Sequence, residues 1–562
     1  MTERAERRLA AVAFVSAFLL RVVYAFRYRV DTDEPQHLHV AWGWAHGLVQ
    51  YRDVFDNHMP LFHLVMAPVV RLVGERADIV SIMRLAMLPL YAFTLWCTYR
   101  LGQRLFSART GLWAAVLLAW LAPFFRCSLE FRADDLWAPL WLLGLVIAIE
   151  GELSPARALA AGLVVGAAMG VSMKTPLLIA SLATAAAVAV AFRPPRPTTR
   201  WPATLAARAL LFTLGVAVVP AALAAGFAAL GAWDAFVYGT IRHNLISHLG
   251  TWRRGPVHLL LFPGILGLGV TAASIVSRRT EDGALARRRV AVLLAAVAYA
   301  GALAGLWPLI TREDYLPFYP IVAVAVAAAA VAIARLPVRG LTWVPVALLV
   351  IAVADQIIGA PPWQNRAEEQ TMFLADVLRL TRPEDSIFDL KGETVFRRRA
   401  FYWGLEYITK VRLQRGLIAD SIPEALVAHE THVATLDCGQ LPRRGRRFLA
   451  AHYVQVGYLR VAGERVRCVP DAPTPFTIGV PGVYRVVEDR GAAALADGVQ
   501  PGASRVEVDD EEVGSGRFLA PGSHALRAPA CSAPLVVVWA PAVERGFLPV
   551  SVEGQEVAWH TP

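Results

Sequence analysis

Largely apolar blocks of about 17–23 residues recur through residues 1–357, each long enough to cross roughly 30 Å of hydrocarbon as a helix. This restricts the fold more than any other feature, because backbone within hydrocarbon must satisfy its own hydrogen bonds. The 562-residue chain is 56% hydrophobic and 18% charged, against about 45–50% apolar and about 25% charged for soluble domains. An ordinary soluble enzyme is excluded. The pattern predicts spans near 9–26, 80–101, 110–125, 136–149, 158–173, 176–192, 209–230, 257–277, 290–309, 315–334 and 341–357, eleven helices in all.

Charge then orients the spans. The net charge is +10, and the excess lies in the membrane half, because the segment from Ile358 onward is slightly acidic. Short segments carrying Arg4/Arg7/Arg8, Arg100/Arg104/Arg109, Arg193/Arg196/Arg200/Arg208, Arg278 to Arg289 and Arg335/Arg339 form one face. The positive-inside rule makes that face cytoplasmic and accounts for the basic excess without nucleic acid. The alternate segments 27–79, 126–135, 174–175, 231–256 and 310–314 hold most of the acidic residues, His, Trp and Tyr of this half. Chemistry is expected on that external face, and an odd number of spans sends the tail there too. Leu61 to Gly74 is apolar but short and carries Arg71; it reads as an interfacial helix.

The tail divides by composition. Residues 358–470 read as an α/β domain, with strands at 386–390, 431–436 and 453–461 and helices near 397–415 and 422–430. Residues 471–562 read as a small β-sandwich-like domain of short strands. The acidic run Val506 to Val513 resembles a strand, turn and strand more than a metal site. Cys438 and Cys468 can pair if the tail lies in an oxidising compartment.

The candidate chemistry follows the first span, where Asp31, Asp33, Glu34, His37 and His39 fall within nine residues. A carboxylate held there can act as general base toward a hydroxyl. Asp31 and Asp33, two positions apart, also permit a divalent cation. The stretch Tyr51-Arg52-Asp53-Val-Phe55-Asp56-Asn57-His58 interleaves aromatics with Arg and His. That pattern suits a phosphate-bearing lipid head group and equally an interfacial aromatic belt. Glu130, Arg132, Asp134 and Asp135 form a second charged loop, since charges are costly inside a span. Lys174 stands alone between two spans in a chain with three lysines and 52 arginines. Its use suggests that a compact ammonium is wanted there, an anionic phosphate being the natural partner. Arg312 and Tyr315 enter a late helix on the same face.

In this order the motifs resemble the GT-C superfamily of membrane glycosyltransferases. The nearest branch is the bacterial form of the protein O-mannosyltransferase and lipid A aminoarabinose transferase group. The Asp-Glu pair after the first helix is matched by Asp33 and Glu34, and a Gly…Tyr-Arg-Asp-x-Phe-x-x-His-x-Pro-Leu stretch by Gly47, Tyr51 to Asp53, Phe55, His58, Pro60 and Leu61. An Arg-x-Asp is matched by Arg132 and Asp134, and a Lys-x-Pro junction by Lys174 and Pro176. Met59 replaces the first proline of the usual Pro-Pro, and Glu313 and Asp314 separate Arg312 from Tyr315.

The resemblance covers roughly residues 10–335. It implies an inverting transfer from a polyprenyl-phosphate sugar to a glycan, lipid or protein acceptor outside the cytoplasm, in a bacterial inner membrane. The resemblance further implies that Asp33 would take the acceptor proton, with Glu34 or Asp134 orienting the acceptor or a metal. It implies that Lys174, His58, Arg132 and Arg312 would stabilise the departing phosphate and that Tyr51, Arg52, Asp53, Asp135 and Tyr315 would contact substrate. A metal at Asp31 and Asp33 is permitted rather than required. Two other readings stay open, a transporter of lipid-linked sugars or polysaccharide and a non-catalytic assembly subunit.

Overall fold

The computed structural model describes residues 2–194, 201–246, 264–265, 267–272, 274–275, 282–307, 309–436, 441–470, 472–489, 506–529 and 534–549. Residues up to Gly359 are helical, and the remainder is a mixed α/β tail. Among the described residues six helices are long and apolar enough to cross a membrane: Glu3–Arg27, Ile79–Leu105, Thr175–Phe192, Ala203–Ala229, Gly283–Leu306 and Leu341–Gly359. Pro155–Val171 and Tyr319–Ile333 are apolar but shorter. The expected spans 110–125 and 136–149 contain Ala108–Trp120, Ala122–Cys127 and Asp134–Ile149. Range 257–277 lies mostly outside the described residues, so length and composition support six spans there and leave the count of eleven open.

Packing in this half uses small residues where helices touch closely. A Cβ on Gly162 would lie 2.2 Å from the carbonyl oxygen of Phe212, so only glycine lets Pro155–Val171 approach Trp201–Ala229 so nearly. The helix Leu61–Val73 buries Phe62, His63, Met66 and Val70 while Arg71 and Leu72 face outward. Its 13 residues span about 20 Å. The helix is therefore too short to cross, in keeping with an interfacial placement.

The tail contains an eight-stranded sheet with the order Arg517–Leu519, Gly482–Glu488, Leu535–Trp539, Leu459–Val466, Val433–Thr435, Ser386–Phe388 and Arg398–Arg399, with Tyr453–Val456 paired to Leu459–Val466. Ser386–Phe388 is parallel to both of its neighbours, with Ile387 opposite Val433, and the other pairings are antiparallel. A separate four-stranded sheet holds Thr474–Ile478, Gly522–Arg527, Glu507–Val508 and Glu511–Glu512. The boundary expected at 470/471 thus falls inside one sheet, because Leu535–Trp539 pairs with Leu459–Val466. Composition changes there, but hydrogen bonding does not.

Local readings fared unevenly. The acidic run forms a hairpin turned by Asp509 and Asp510 at φ +52° and +60°, the left-handed conformation of a type I′ turn. The strand expected over 453–461 is instead two strands reversing at Gly457, φ +53°. The helix expected over 397–415 is confined to Tyr407–Gln414. Arg399 accounts for the difference: its guanidinium binds the Asp389 carboxylate and the carbonyls of Asp389, Leu390, Tyr402 and Trp403, holding the preceding chain irregular. Helices Glu368–Leu380 and Arg443–His452 were not anticipated. Cys468 is disulfide-bonded, and Cys438 lies outside the described residues.

Candidate active site

The first span ends where Arg84, from Ile79–Leu85, donates to the carbonyls of Tyr28 (2.9 Å) and Arg29 (2.6 Å). The chain then turns into the helix Asp33–Ala45. Asp31 and Glu34 build that turn reciprocally, Asp31 accepting from the Asp33 amide at 3.1 Å and Glu34 from the Asp31 amide at 2.9 Å. Asp33 and Glu34 both complement the helix N-terminus, yet they face opposite ways. Glu34 is fully buried, gripped by Arg84 at 2.8 and 2.5 Å, and also accepts from the Phe131 amide at 2.9 Å. Asp33 lines a cavity of about 320 Å³.

Two cations hold Asp33. Arg132 reaches Oδ2 at 2.7 Å, and the Lys391 ammonium donates to Oδ1. Burial pushes the Asp33 carboxyl up, but Lys391 and Arg132 more than offset this and hold it well below the ordinary 3.8. Arg132 also contacts Asp31 at 3.0 Å, Glu130 at 3.5 Å and Glu313. Beside Glu313, Asp314 accepts from Lys174, which lies 3.6 Å from Asp134. Asp33 and Arg132 thus belong to one ion-pair cluster and Asp134 and Lys174 to a second, the two meeting at the adjacent residues Glu313 and Asp314. Trp137 and Thr175, bonded at 2.9 Å, tie the helices carrying Asp134 and Lys174 together.

His58 lines the same cavity and meets Asp56 at 2.8 Å. Asp56 also accepts from Gln36 (3.3 Å) and Gln50 (2.7 Å). Burial lowers the His58 imidazole, and Asp56 reverses this to leave it above the ordinary 6.5. The neighbouring His37 is held well below that value by burial and by His58 and His63.

Other expected residues lie elsewhere. Tyr51 is buried at φ +68° against Phe227 and Phe236, its hydroxyl donating to the His58 carbonyl at 2.5 Å. Asp53 accepts from the Val49 amide at 2.8 Å and pairs with the exposed Arg52. These three build the turn before His58 rather than line the cavity. Asp135 is buried, and neither of its oxygens has a hydrogen-bond partner among the described residues. Tyr315 is packed against Phe318 and Tyr319, and Arg312 is exposed. Asp31 and Asp33 do not fit a metal site: Arg29, Arg132 and Lys391 neutralise them. No group of three or more His, Cys, Asp or Glu side chains suited to a metal occurs among the described residues.

The contribution of the tail was missed. Lys391, Glu393, Glu406 and Lys410 line the same cavity as Asp33. The tail is fixed there by Arg397 to Glu75 at 2.9 Å and His243 to Glu406 at 2.9 Å. One sequence signal pointed to it. The chain has only Lys174, Lys391 and Lys410 as lysines, and the scarcity argument made for Lys174 applies to all three.

The helical half and the tail, whose Lys391 pairs with Asp33 at the N-terminus of the helix after the first span, together make a fold that solved structures share. The solved structures that share it include ArnT from Cupriavidus metallidurans bound to undecaprenyl phosphate, at TM-score 0.54 and 14% identity, covering 80% of this chain and 97% of that one. The same protein in the apo state matches at TM-score 0.52 and 14% identity, with the same coverage. The family model for dolichyl-phosphate-mannose-protein mannosyltransferase matches residues 57–220. No curated protein sequence matches the chain.

Proposed function

We propose that this protein transfers a sugar from a polyprenyl-phosphate donor to a hydroxyl of a glycan, lipid or protein acceptor, with inversion. The observation that carries this reading is Asp33 lining a cavity with its carboxylate paired to Arg132 and Lys391, beside a second ion-pair cluster around Lys174. The acceptor oxygen forms its bond to the sugar C1 as its proton passes to Asp33. The C1–oxygen bond to phosphate breaks, and its electron pair leaves on the polyprenyl phosphate. In this reading Lys174, His58 and Arg132 stabilise the charge that develops there, and Arg312, which is exposed, is assigned the same role. Glu34 acts through structure, fixing the helix that presents Asp33. The undecaprenyl phosphate bound to the ArnT neighbour supports a lipid-phosphate donor.

Lys174→Ala is expected to lower donor use about 10²-fold, the scale for losing one preorganised donor, whereas Lys174→Arg retains part of it. Initial rates against donor concentration measure this; small and equal effects of both variants would remove Lys174 from the donor site.

We further infer that the cavity faces away from the cytoplasm and that the membrane is the inner membrane of a bacterium. The tail carries Lys391 to Asp33, so it lies on the face reached by the first span, opposite the arginine-rich segments. A reporter active only in the cytoplasm, fused after Pro562, is expected to be silent. An active fusion would invert this topology.

A further inference from the structure

The two Asp33 oxygens are held differently. Oδ2 belongs to Arg132, whose guanidinium is itself fixed by Asp31 and Glu313. Oδ1 is taken by Lys391, reached from a residue 358 positions away. A lysine ammonium on its four-carbon stem can swing away, while the Arg132 fork cannot leave without unpairing several buried carboxylates. The base therefore has to work through Oδ1, and Lys391 occupies it.

The loop bearing Lys391 is built for this placement. Asp389 accepts from the amides of Gly392 (2.9 Å) and Thr394 (3.0 Å) and from the Thr394 hydroxyl (2.7 Å). Glu393 accepts from the Lys391 amide at 2.8 Å. Gly392 sits at φ +110°, where an added Cβ would come 2.8 Å from His39 Cβ. His39, on the helix that carries Asp33, is also 2.9 Å from the Val395 carbonyl. Loop and base thus share one rigid seat.

We propose that Lys391 determines specificity for acceptor over water, covering Oδ1 until an acceptor displaces its ammonium. This rests on the transfer reading above. With Lys391 in place, both oxygens are paired to cations and Asp33 is a weak base toward water. Hydrolysis would follow the same bond changes as transfer: a water proton passes to Asp33, its oxygen joins C1, and the electron pair leaves on the polyprenyl phosphate. An acceptor that fills the cavity displaces the ammonium toward Glu393, which lines the same cavity, and restores the basicity of Asp33.

The test is free-sugar release by the full chain in nanodiscs, with no acceptor, from undecaprenyl-phosphate-linked mannose, glucose, galactose and aminoarabinose. Lys391→Met is expected to raise release about tenfold, and Lys391→Arg to leave it near wild type. Gly392→Ala, which unseats the loop but keeps the lysine, should act in the same direction as Lys391→Met. The charged and titratable groups around Asp33 are Arg132, Lys391, His37, Asp31, His58 and Glu313. Losing one cation raises the Asp33 pKa, so the acid limb of release moves up toward 3.8 in Lys391→Met. Unchanged or reduced release in both variants, with wild type active in transfer, would overturn this assignment alone. Wild type inactive toward every donor would overturn the transfer reading and this one with it.

Discussion

Asp33→Asn is expected to lower sugar transfer by about 10²–10⁴-fold, the range for loss of a general base, with normal expression and folding. The amide keeps the size of the side chain but can neither take a proton nor balance Lys391 and Arg132, which reach its two oxygens. Because those cations depress its pKa, the wild-type acid limb should lie below the ordinary 3.8. The base is ionised above its depressed pKa and is lost only as pH falls through it. Transfer within a few fold of wild type in Asp33→Asn would remove Asp33 from the chemistry.

Arg84→Met carries the largest expected effect on stability. Arg84 and Glu34 are both fully buried and meet through two contacts at 2.8 and 2.5 Å. Arg84 also supplies hydrogen bonds to the carbonyls that end the first span. Removing it leaves a buried carboxylate with two amide donors and no counter-charge, a loss of about 3–5 kcal/mol. Replacing both partners, Arg84→Met with Glu34→Met, removes the stranded charge and should recover much of that loss. Thermal unfolding in detergent of the single and double variants checks it; a single variant as stable as wild type would show that the pair does not hold the helix of Asp33.

What the sequence made legible follows from the range over which each signal acts. Asp33 stood out because a charged cluster at a helix exit is a local pattern, and Lys174 because lysine is scarce throughout. Asp33 and Glu34 part because neighbours in sequence differ by about 100° around a helix, sending one carboxylate to the cavity and the other to Arg84. A sharper reading of Arg84 was available, since an arginine within the apolar stretch 80–101 demands a buried partner. Tyr51, Arg52 and Asp53 match a motif, but they serve its turn. Lys391 shared the scarcity signal of Lys174, but nothing near it in sequence tied it to Asp33, because its partner is 358 residues away. The sheet joining the two tail segments was equally hidden, as the strands that unite them are too distant in sequence for periodicity to relate.

In the proposed reaction Asp33 activates an acceptor against a polyprenyl-phosphate sugar. The most direct measurement of this uses the purified full chain in nanodiscs with a panel of undecaprenyl-phosphate sugars and a membrane extract as the acceptor source. It follows both undecaprenyl phosphate release and the anomeric configuration of the product. Release from at least one donor, inversion at C1, and loss of both signals in Asp33→Asn are expected. Release with retained configuration, or release undiminished in Asp33→Asn, would contradict the proposed reaction.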